Sequence, residues 1–279
     1  MNFTKKEGYV MLQHNIVLEN QHSLFDSHGR RIPPNTNASV HVKTRRRFTI
    51  SQPEINYQKI YQRINTHLGC NSCISSADFE QRAKQILDNV KGYEASKNIV
   101  NSVYVPFFLP QESPQLLSNI GQALETKYID AVKRSFEESL HDYKFTNHHK
   151  PLLSSTLNVD TNSRHGRLID AMKKEPVVGL YFVSLSEYSI PAAIEQVGSL
   201  PEQFLLAGGF DTCAALIGSP ELLLKNNGYP PLLWLAALTG QVPTEGYHFE
   251  AYGYNLTFNR RLHFNEIAEY WTSALVVIG

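Results

Sequence analysis

The chain contains 279 residues, of which 42% are hydrophobic and 19% are charged. These values are typical of globular proteins and argue against wholesale disorder. Lysine plus arginine and aspartate plus glutamate number 26 each, so the net charge indicates neither a polyanionic nor a membrane partner.

The sequence pattern favours a cytoplasmic protein. No run of about eighteen apolar residues is present, and no apolar segment follows Met1, so we expect neither a membrane span nor a secretory signal. Three cysteines are too few for a disulfide framework. Export without a cleavable signal would leave no mark in the sequence, and this alternative stays open.

The first fifty residues are predicted to form a basic, partly flexible extension. Residues 27–53 contain no acidic residue but carry six basic ones, namely Arg30, Arg31, Lys43, Arg45, Arg46 and Arg47. Residues 176–253 contain seven acidic residues and one basic residue. The basic stretch therefore either lies on the acidic body or reaches out as an arm to a polyanion, for which lysine and arginine supply phosphate contacts.

Residues 51–150 are predicted to be mainly helical. Apolar residues recur at helical spacing after Pro53, after Ser75 and from Leu116 to Leu140, which predicts three helices. The segment Val103–Leu109 is β-prone, and Pro106 within it favours an edge strand or a bend.

Residues 151–279 are predicted to be rich in strands. We expect strands over residues 176–186, 203–207, 212–217, 232–238, 245–252, 255–264 and 274–278, with short helices over 189–197, after Ser219 and after Asn265. The predicted class is α+β, with a helix-rich N-terminal half packed against a mixed or antiparallel sheet in the C-terminal half. We expect residues 51–279 to form one compact unit.

His67, Cys70 and Cys73 are spaced like potential zinc ligands. A structural zinc site needs four ligands, and the fourth would have to come from a distant part of the chain. Ordinary loop thiols and a redox pair are the alternatives. We therefore predict no cofactor, with zinc at this site as a weaker candidate.

Gly208 and Gly209 precede Asp211 and Cys213 in a second candidate segment. Paired glycines allow close approach of the backbone to a ligand, and Cys213 could act as a nucleophile if its thiolate were stabilised. The simpler interpretation is a hairpin between two strands, with Asp211 in the turn and Cys213 in the core.

The most suggestive run is 245–252. On a strand, His248, Glu250 and Tyr252 would point to one face, and Arg260 and Arg261 would lie on the partner strand. Histidine and glutamate together supply groups for acid–base chemistry. The alternative is a solvated sheet face on which glutamate and arginine pair across the strands.

These residues favour a small-molecule enzyme of the hydrolase or transferase type. In this hypothesis His248 is the general base, Glu250 orients it, and the Gly208–Gly209 amides and Asp211 converge on the same sheet edge. The alternative is a non-catalytic adaptor or effector-type module that binds a protein through the basic arm and exposed aromatic residues. Nucleic acid is not expected as a partner, because the chain is neutral overall.

Overall fold

The computed structural model describes residues 23–69, 74–149, 157–225, 227–252 and 254–279. Helices dominate the N-terminal half, and a mixed eight-stranded sheet dominates the C-terminal half. The prediction of an α+β fold is therefore confirmed. The predicted division near residue 150 falls on residues 150–156, which lie outside the described residues.

Four of the five α-helices described in the first half begin at side-chain caps, and the fifth continues from a preceding helical turn. They are α1 (Tyr57–Leu68), α2 (Ser76–Gly92), α3 (Pro114–Leu117), α4 (Ile120–Ala123) and α5 (Ile129–Ser139). The first begins later than Pro53 because Asn56 caps it by accepting the amide of Lys59.

The prediction of one continuous helix from Pro114 to Leu140 is wrong at its start. Asn119 leaves the helical conformation and caps α4 by accepting the amide of Gln122, which separates α3 from α4. Beyond α4 the helix continues through a π-helical turn, Leu124–Tyr128, into α5.

The α-helices described in the second half are α6 (Gly166–Met172), α7 (Ile190–Ser199) and α8 (Gly209–Gly218). The prediction of a strand over 212–217 is wrong, because these residues belong to α8. All ten residues of α8 are buried, so its sequence lacks the polar face that marks an amphipathic helix. The described residues that follow Ser219 and Asn265 form turns rather than the predicted helices.

The strands are β1 (Val103–Leu109), β2 (Phe145–Asn147), β3 (Asn158–Val159), β4 (Val177–Ser186), β5 (Phe204–Leu206), β6 (Leu232–Trp234), β7 (Leu238–Thr239), β8 (Glu245–Tyr252), β9 (Asn255–Leu262) and β10 (Trp271–Ile278). The main sheet has the order β1-β4-β10-β6-β8-β9-β2, and β5 pairs with β10 beside β6. Among the strand pairs of the described residues, only β10–β6 and β2–β9 are parallel. The predicted strand over residues 232–238 is divided into β6 and β7. A turn separates them, and in this turn the amide of Leu238 donates to the carbonyl of Leu235.

Helix α8 connects the helical half to the sheet. It packs against β1, α1 and α5. Gly218 lies against Ile60 of α1, where a Cβ atom would come within 2.8 Å of the isoleucine side chain. Because α8 is buried on all sides, the two predicted halves share one continuous hydrophobic core.

Residues 23–50 pack on the same core. Phe25 is fully buried and pairs with Arg31, while Val40 pairs with Tyr188. Arg30 and Arg31 are also buried and donate to backbone carbonyls. In the described part of the chain, no helix has the length and apolar character needed to cross a membrane.

Candidate functional site

The β8–β9 hairpin places three of the predicted site residues on one face of the sheet. His248 pairs with Asn259, Glu250 with Thr257 and Gly246 with Arg261. Directly paired residues of an antiparallel ladder share a face, so His248, Glu250 and Arg261 project to the same side.

His248 forms the buried end of this group. Its side chain has no exposed surface, and its ring lies 4.9 Å from that of Trp234, the paired residue on β6. Burial lowers the pKa of His248, and the contact with Glu250 opposes this effect. The imidazole is therefore neutral at pH 7.

Glu250 links the buried histidine to the surface. Its Oε2 atom lies 3.4 Å from Nε2 of His248, and 26% of its side chain is exposed. The contact with His248 and, to a smaller extent, the charge of Arg261 lower the pKa of Glu250, while burial opposes them. Glu250 is therefore ionised at neutral pH.

Arg261 completes the group on the solvent side. Its Nη2 atom lies 3.8 Å from Oε2 of Glu250, and 36% of its side chain is exposed. Its Nη1 atom donates to the hydroxyl of Tyr270 over 2.7 Å, and the guanidinium also lies over the ring of that tyrosine. We call His248, Glu250, Arg261 and Tyr270 the His248 cluster.

The His248 cluster offers an anion and a cation side by side at the surface, with a neutral imidazole behind the anion. A carboxylate beside a histidine can exchange protons, and an adjacent guanidinium can stabilise negative charge that develops on a substrate. Within the described residues, Nδ1 of His248 has no hydrogen-bond partner, and Nε2 has none apart from its 3.4 Å contact with Glu250. Such unsatisfied buried polar atoms are uncommon in folded proteins.

The other predicted residues of the hairpin lie elsewhere. Arg260 projects to the opposite face, where its Nη1 atom lies 3.3 Å from Oε1 of Glu245. Tyr252 lies at the end of β8, and 74% of its surface is exposed. The structure thus brings Glu250 together with Arg261 and separates both from Arg260.

Gly208, Gly209 and Asp211 form the start of α8. Asp211 accepts the amides of Gly208 and Thr212, which fixes the first turn of the helix. Its Oδ2 atom lies 3.8 Å from Nδ1 of His165, and the imidazole packs directly over Gly208. The polar contacts of Asp211 in the structure are thus to His165, Gly208 and Thr212, and none is to the His248 cluster.

The Asp211 carboxyl and the Cys213 thiol are both fully buried. Burial raises the pKa of Asp211, and the charge of His165 opposes this effect. Burial also raises the pKa of the Cys213 thiol well above its ordinary value, as does the nearby Asp211. The conditions that stabilise a thiolate nucleophile are an exposed, electropositive environment, which is the opposite of this position.

The predicted metal candidates are only partly described. Cys70 and Cys73 lie outside the described residues, while His67 is buried with Nε2 at 3.5 Å from Oε2 of Glu138. Among the residues that the structure describes, no group of three or more histidine, cysteine or acidic side chains is arranged to hold a metal ion.

Sequence reasoning missed Trp234 and Tyr270 as members of the site. Trp234 lies in an apolar run that predicts only a buried element, and Tyr270 lies in a turn before β10. Their proximity to His248 and Arg261 depends on the β10-β6-β8-β9 strand order, for which the sequence carries no local signal.

The chain was compared with protein-family models, with curated proteins and with solved structures, and none of the three comparisons gave a match.

Proposed function

We propose that the protein is a small-molecule enzyme of the hydrolase or transferase type, with its reaction centre at the His248 cluster. The observation that carries the proposal is the increasing exposure along one line of side chains. His248 is fully buried, Glu250 is a quarter exposed, and Arg261 is about a third exposed. A ligand at the surface would therefore touch Glu250 and Arg261, with His248 behind the carboxylate.

This geometry favours Glu250 as the general base, whereas the sequence pattern favours His248. In the proposed reaction, Glu250 accepts a proton from water as the water oxygen bonds to a carbonyl carbon or phosphorus. The leaving group departs with the bonding electron pair and receives the proton from Glu250. In a transfer reaction, an alcohol or amine takes the place of water.

The neighbours of Glu250 have defined parts in this proposal. Arg261 lies beside the carboxylate and would stabilise negative charge on the substrate oxygen. Tyr270 accepts a hydrogen bond from Arg261 and holds the guanidinium in place. His248 is a positioning residue, since its buried imidazole contacts Glu250 rather than solvent.

The pKa of Glu250 sets the rate acceleration that we expect from this base. A lowered pKa keeps the carboxylate ionised near neutral pH but also makes it a weaker base. We therefore expect Glu250 to accelerate the reaction by about 100-fold, the lower end of the range for general bases.

The test compares two glutamates of the same strand. Glu250→Gln removes the proposed base, and Glu245→Gln removes the carboxylate that pairs with Arg260 on the opposite face. The probes are p-nitrophenyl acetate and bis(p-nitrophenyl) phosphate. We expect hydrolysis of at least one probe by the wild type and by Glu245→Gln, and a loss of about 100-fold in kcat for Glu250→Gln.

Two outcomes would overturn the proposal. One is that neither probe reacts faster with the wild type than in buffer. The other is that Glu250→Gln hydrolyses the reactive probe at the wild-type rate. Thermal unfolding of each variant distinguishes a lost carboxylate from a lost fold.

The proposal assigns no cofactor, because Glu250, Arg261 and water supply every group that the reaction uses. The proposed compartment is the cytoplasm, which fits the free thiol of Cys213 in the core. The proposed ligand is a polar small molecule, because the exposed groups of the site carry opposite charges.

A second candidate function is a protein-interaction surface near the β8–β9 turn. Tyr229 and Tyr252 are 64% and 74% exposed, and Tyr229, Pro230 and Tyr254 line a groove of about 250 Å³. Exposed tyrosines are favoured at interface hot spots. Peptides selected from a phage-displayed library should bind the wild type and lose about tenfold in affinity with Tyr229→Ala plus Tyr252→Ala. Unchanged binding by the double variant would exclude this surface.

A further inference from the structure

A separate cavity of about 290 Å³ lies between the basic N-terminal segment and the sheet. His28, Arg30 and Arg46 line it on the basic side, and hydroxyl or amide side chains of Thr44, Asn101 and Ser186 add hydrogen-bonding groups. None of the described residues that line the cavity is acidic. A phosphate group is the ligand chemistry that such a lining fits.

Arg30 is held in this cavity as a rigid cationic group. Its three guanidinium nitrogens donate to the backbone carbonyls of Ser186, Val42 and His41, and only 5% of the residue is exposed. An arginine carries five N–H donors, so about two remain available after these three bonds. The cation is thus fixed in position, and little side-chain entropy remains to be lost when an anion binds.

Arg46 is held in place by Asp26. The Oδ2 atom of Asp26 pairs with Arg46, and its Oδ1 atom accepts the amides of His28 and Arg30. The contacts of Asp26 with the two amides stabilise the turn at residues 26–30, and Asp26 itself does not line the cavity. Arg46 also has a left-handed backbone with φ of 52°, a costly conformation for a residue with a side chain.

A glycine allows the turn to reach the sheet. Gly29 has φ of 79°, and a Cβ atom at this position would come within 2.1 Å of the amide nitrogen of Ser102. This close approach places His28 and Arg30 at the start of β1. Phe48 and Val183 add apolar surface to the lining, so the cavity could hold an organic group attached to the phosphate.

We infer that this cavity binds an organic phosphate monoester, with the phosphate on Arg30 and Arg46 and the organic group against Phe48. The inference is independent of the reaction proposed above, because the two sites use different residues. Phe48 of the cavity contacts Tyr270 of the His248 cluster, with ring centroids 5.8 Å apart.

The experiment is isothermal titration of the full chain with phenyl phosphate and with inorganic phosphate. We expect phenyl phosphate to bind with a Kd of about 1 mM or lower, and inorganic phosphate to bind more weakly because it lacks the apolar contact. Arg46→Gln should weaken binding by about tenfold. The matched control is Arg45→Gln, since Arg45 is exposed, pairs with Glu269 and does not line the cavity.

Two further variants keep the test decisive. His28→Ala removes an exposed lining residue and should weaken binding by about threefold even if Arg46→Gln fails to fold. Arg261→Gln should leave the Kd unchanged, because that residue belongs to the His248 cluster. The inference is overturned if phenyl phosphate does not bind, if Arg45→Gln and Arg46→Gln have equal effects, or if Arg261→Gln abolishes binding.

Discussion

Two of the histidine–carboxylate pairs among the described residues, His248–Glu250 and His165–Asp211, differ mainly in their access to solvent. His248 and Glu250 lie 3.4 Å apart, and the glutamate is partly exposed. His165 and Asp211 lie 3.8 Å apart, and both are buried. The first pair can present an ionised carboxylate to a ligand. The second pair fixes the start of a buried helix, so the same residue types give a candidate site in one place and a structural element in the other.

The difference arises from the elements that carry each pair. Glu250 lies near the end of a hairpin strand, where one face of the sheet meets solvent. Asp211 lies in the first turn of α8, which is buried on all sides. Burial raises the pKa of Asp211, while the neighbours of Glu250 lower its pKa. The carboxyl groups therefore differ in exposure and in the direction in which the fold shifts their pKa.

The largest effect should come from Gly208→Ala, which would separate the buried pair. The new Cβ atom would come within 2.4 Å of Nε2 of His165 in a fully packed region. We expect a loss of about 3 kcal/mol or more in the free energy of unfolding, or failure to fold. The control is Gly198→Ala in α7, where no atom lies within 4 Å of the new Cβ atom. Equal stability of the two variants in urea would contradict this account.

Truncation of Asp211 should mainly lower stability, whereas truncation of Glu250 should mainly lower activity. Asp211→Ala leaves the buried amides of Gly208 and Thr212 without this acceptor, so we expect a loss of about 2 kcal/mol. Glu250→Ala removes a partly exposed group and should cost less than about 1 kcal/mol. Urea unfolding gives the stabilities, and p-nitrophenyl hydrolysis gives the activities. The comparison fails if Glu250→Ala is the less stable variant.

The two pairs should also shift stability with pH in opposite directions. The folded pKa of His248 is below its ordinary value of 6.5, so the unfolded chain binds a proton first as the pH falls. His248 therefore makes the free energy of unfolding decrease as the pH falls below 6.5. The folded pKa of Asp211 is above its ordinary value of 3.8, so its contribution decreases as the pH rises from 3.8 through the folded pKa.

The pH prediction is tested by difference, because other histidines titrate in the same range. His248→Gln should flatten the slope of stability below pH 6.5 by at most about 1.4 kcal/mol per pH unit, the limit for one proton. Asp211→Asn should reduce the decrease in the free energy of unfolding that occurs as the pH rises above 3.8. Urea unfolding from pH 4 to 7.5 measures both. A steeper slope in His248→Gln would show that the imidazole does not stay neutral on folding.

The smallest effect should come from Tyr270→Phe, which removes the hydroxyl that accepts from Arg261. We expect a loss of about 1 kcal/mol or less in stability. If Arg261 supports the reaction at Glu250, kcat for the reactive p-nitrophenyl probe should fall by a few-fold while KM changes less. An unchanged kcat would show that Tyr270 does not position the guanidinium for the reaction.

The sequence by itself determined the elements whose signals are local. Helical periodicity identifies α1 and α2, and the cap at Ser75 also locates the start of α2, because a cap and its amide partner lie within three residues. Alternation along residues 245–252 places His248 and Glu250 on one face, because successive side chains of a strand point to opposite faces. The same rule places Arg260 and Arg261 on opposite faces of β9, although the sequence prediction assigned both to one site.

Only the tertiary structure determined that residues 209–218 form a helix rather than a strand. It also determined which residues meet at the His248 cluster. The sequence of α8 is short and mostly apolar, with Asp211 and Thr212 confined to its first turn, and such a run fits a buried helix as well as a strand. The burial of His248 depends on Trp234, and the position of Arg261 depends on Tyr270. These contacts join residues that are distant along the chain, and the strand order that brings them together is a property of the whole fold.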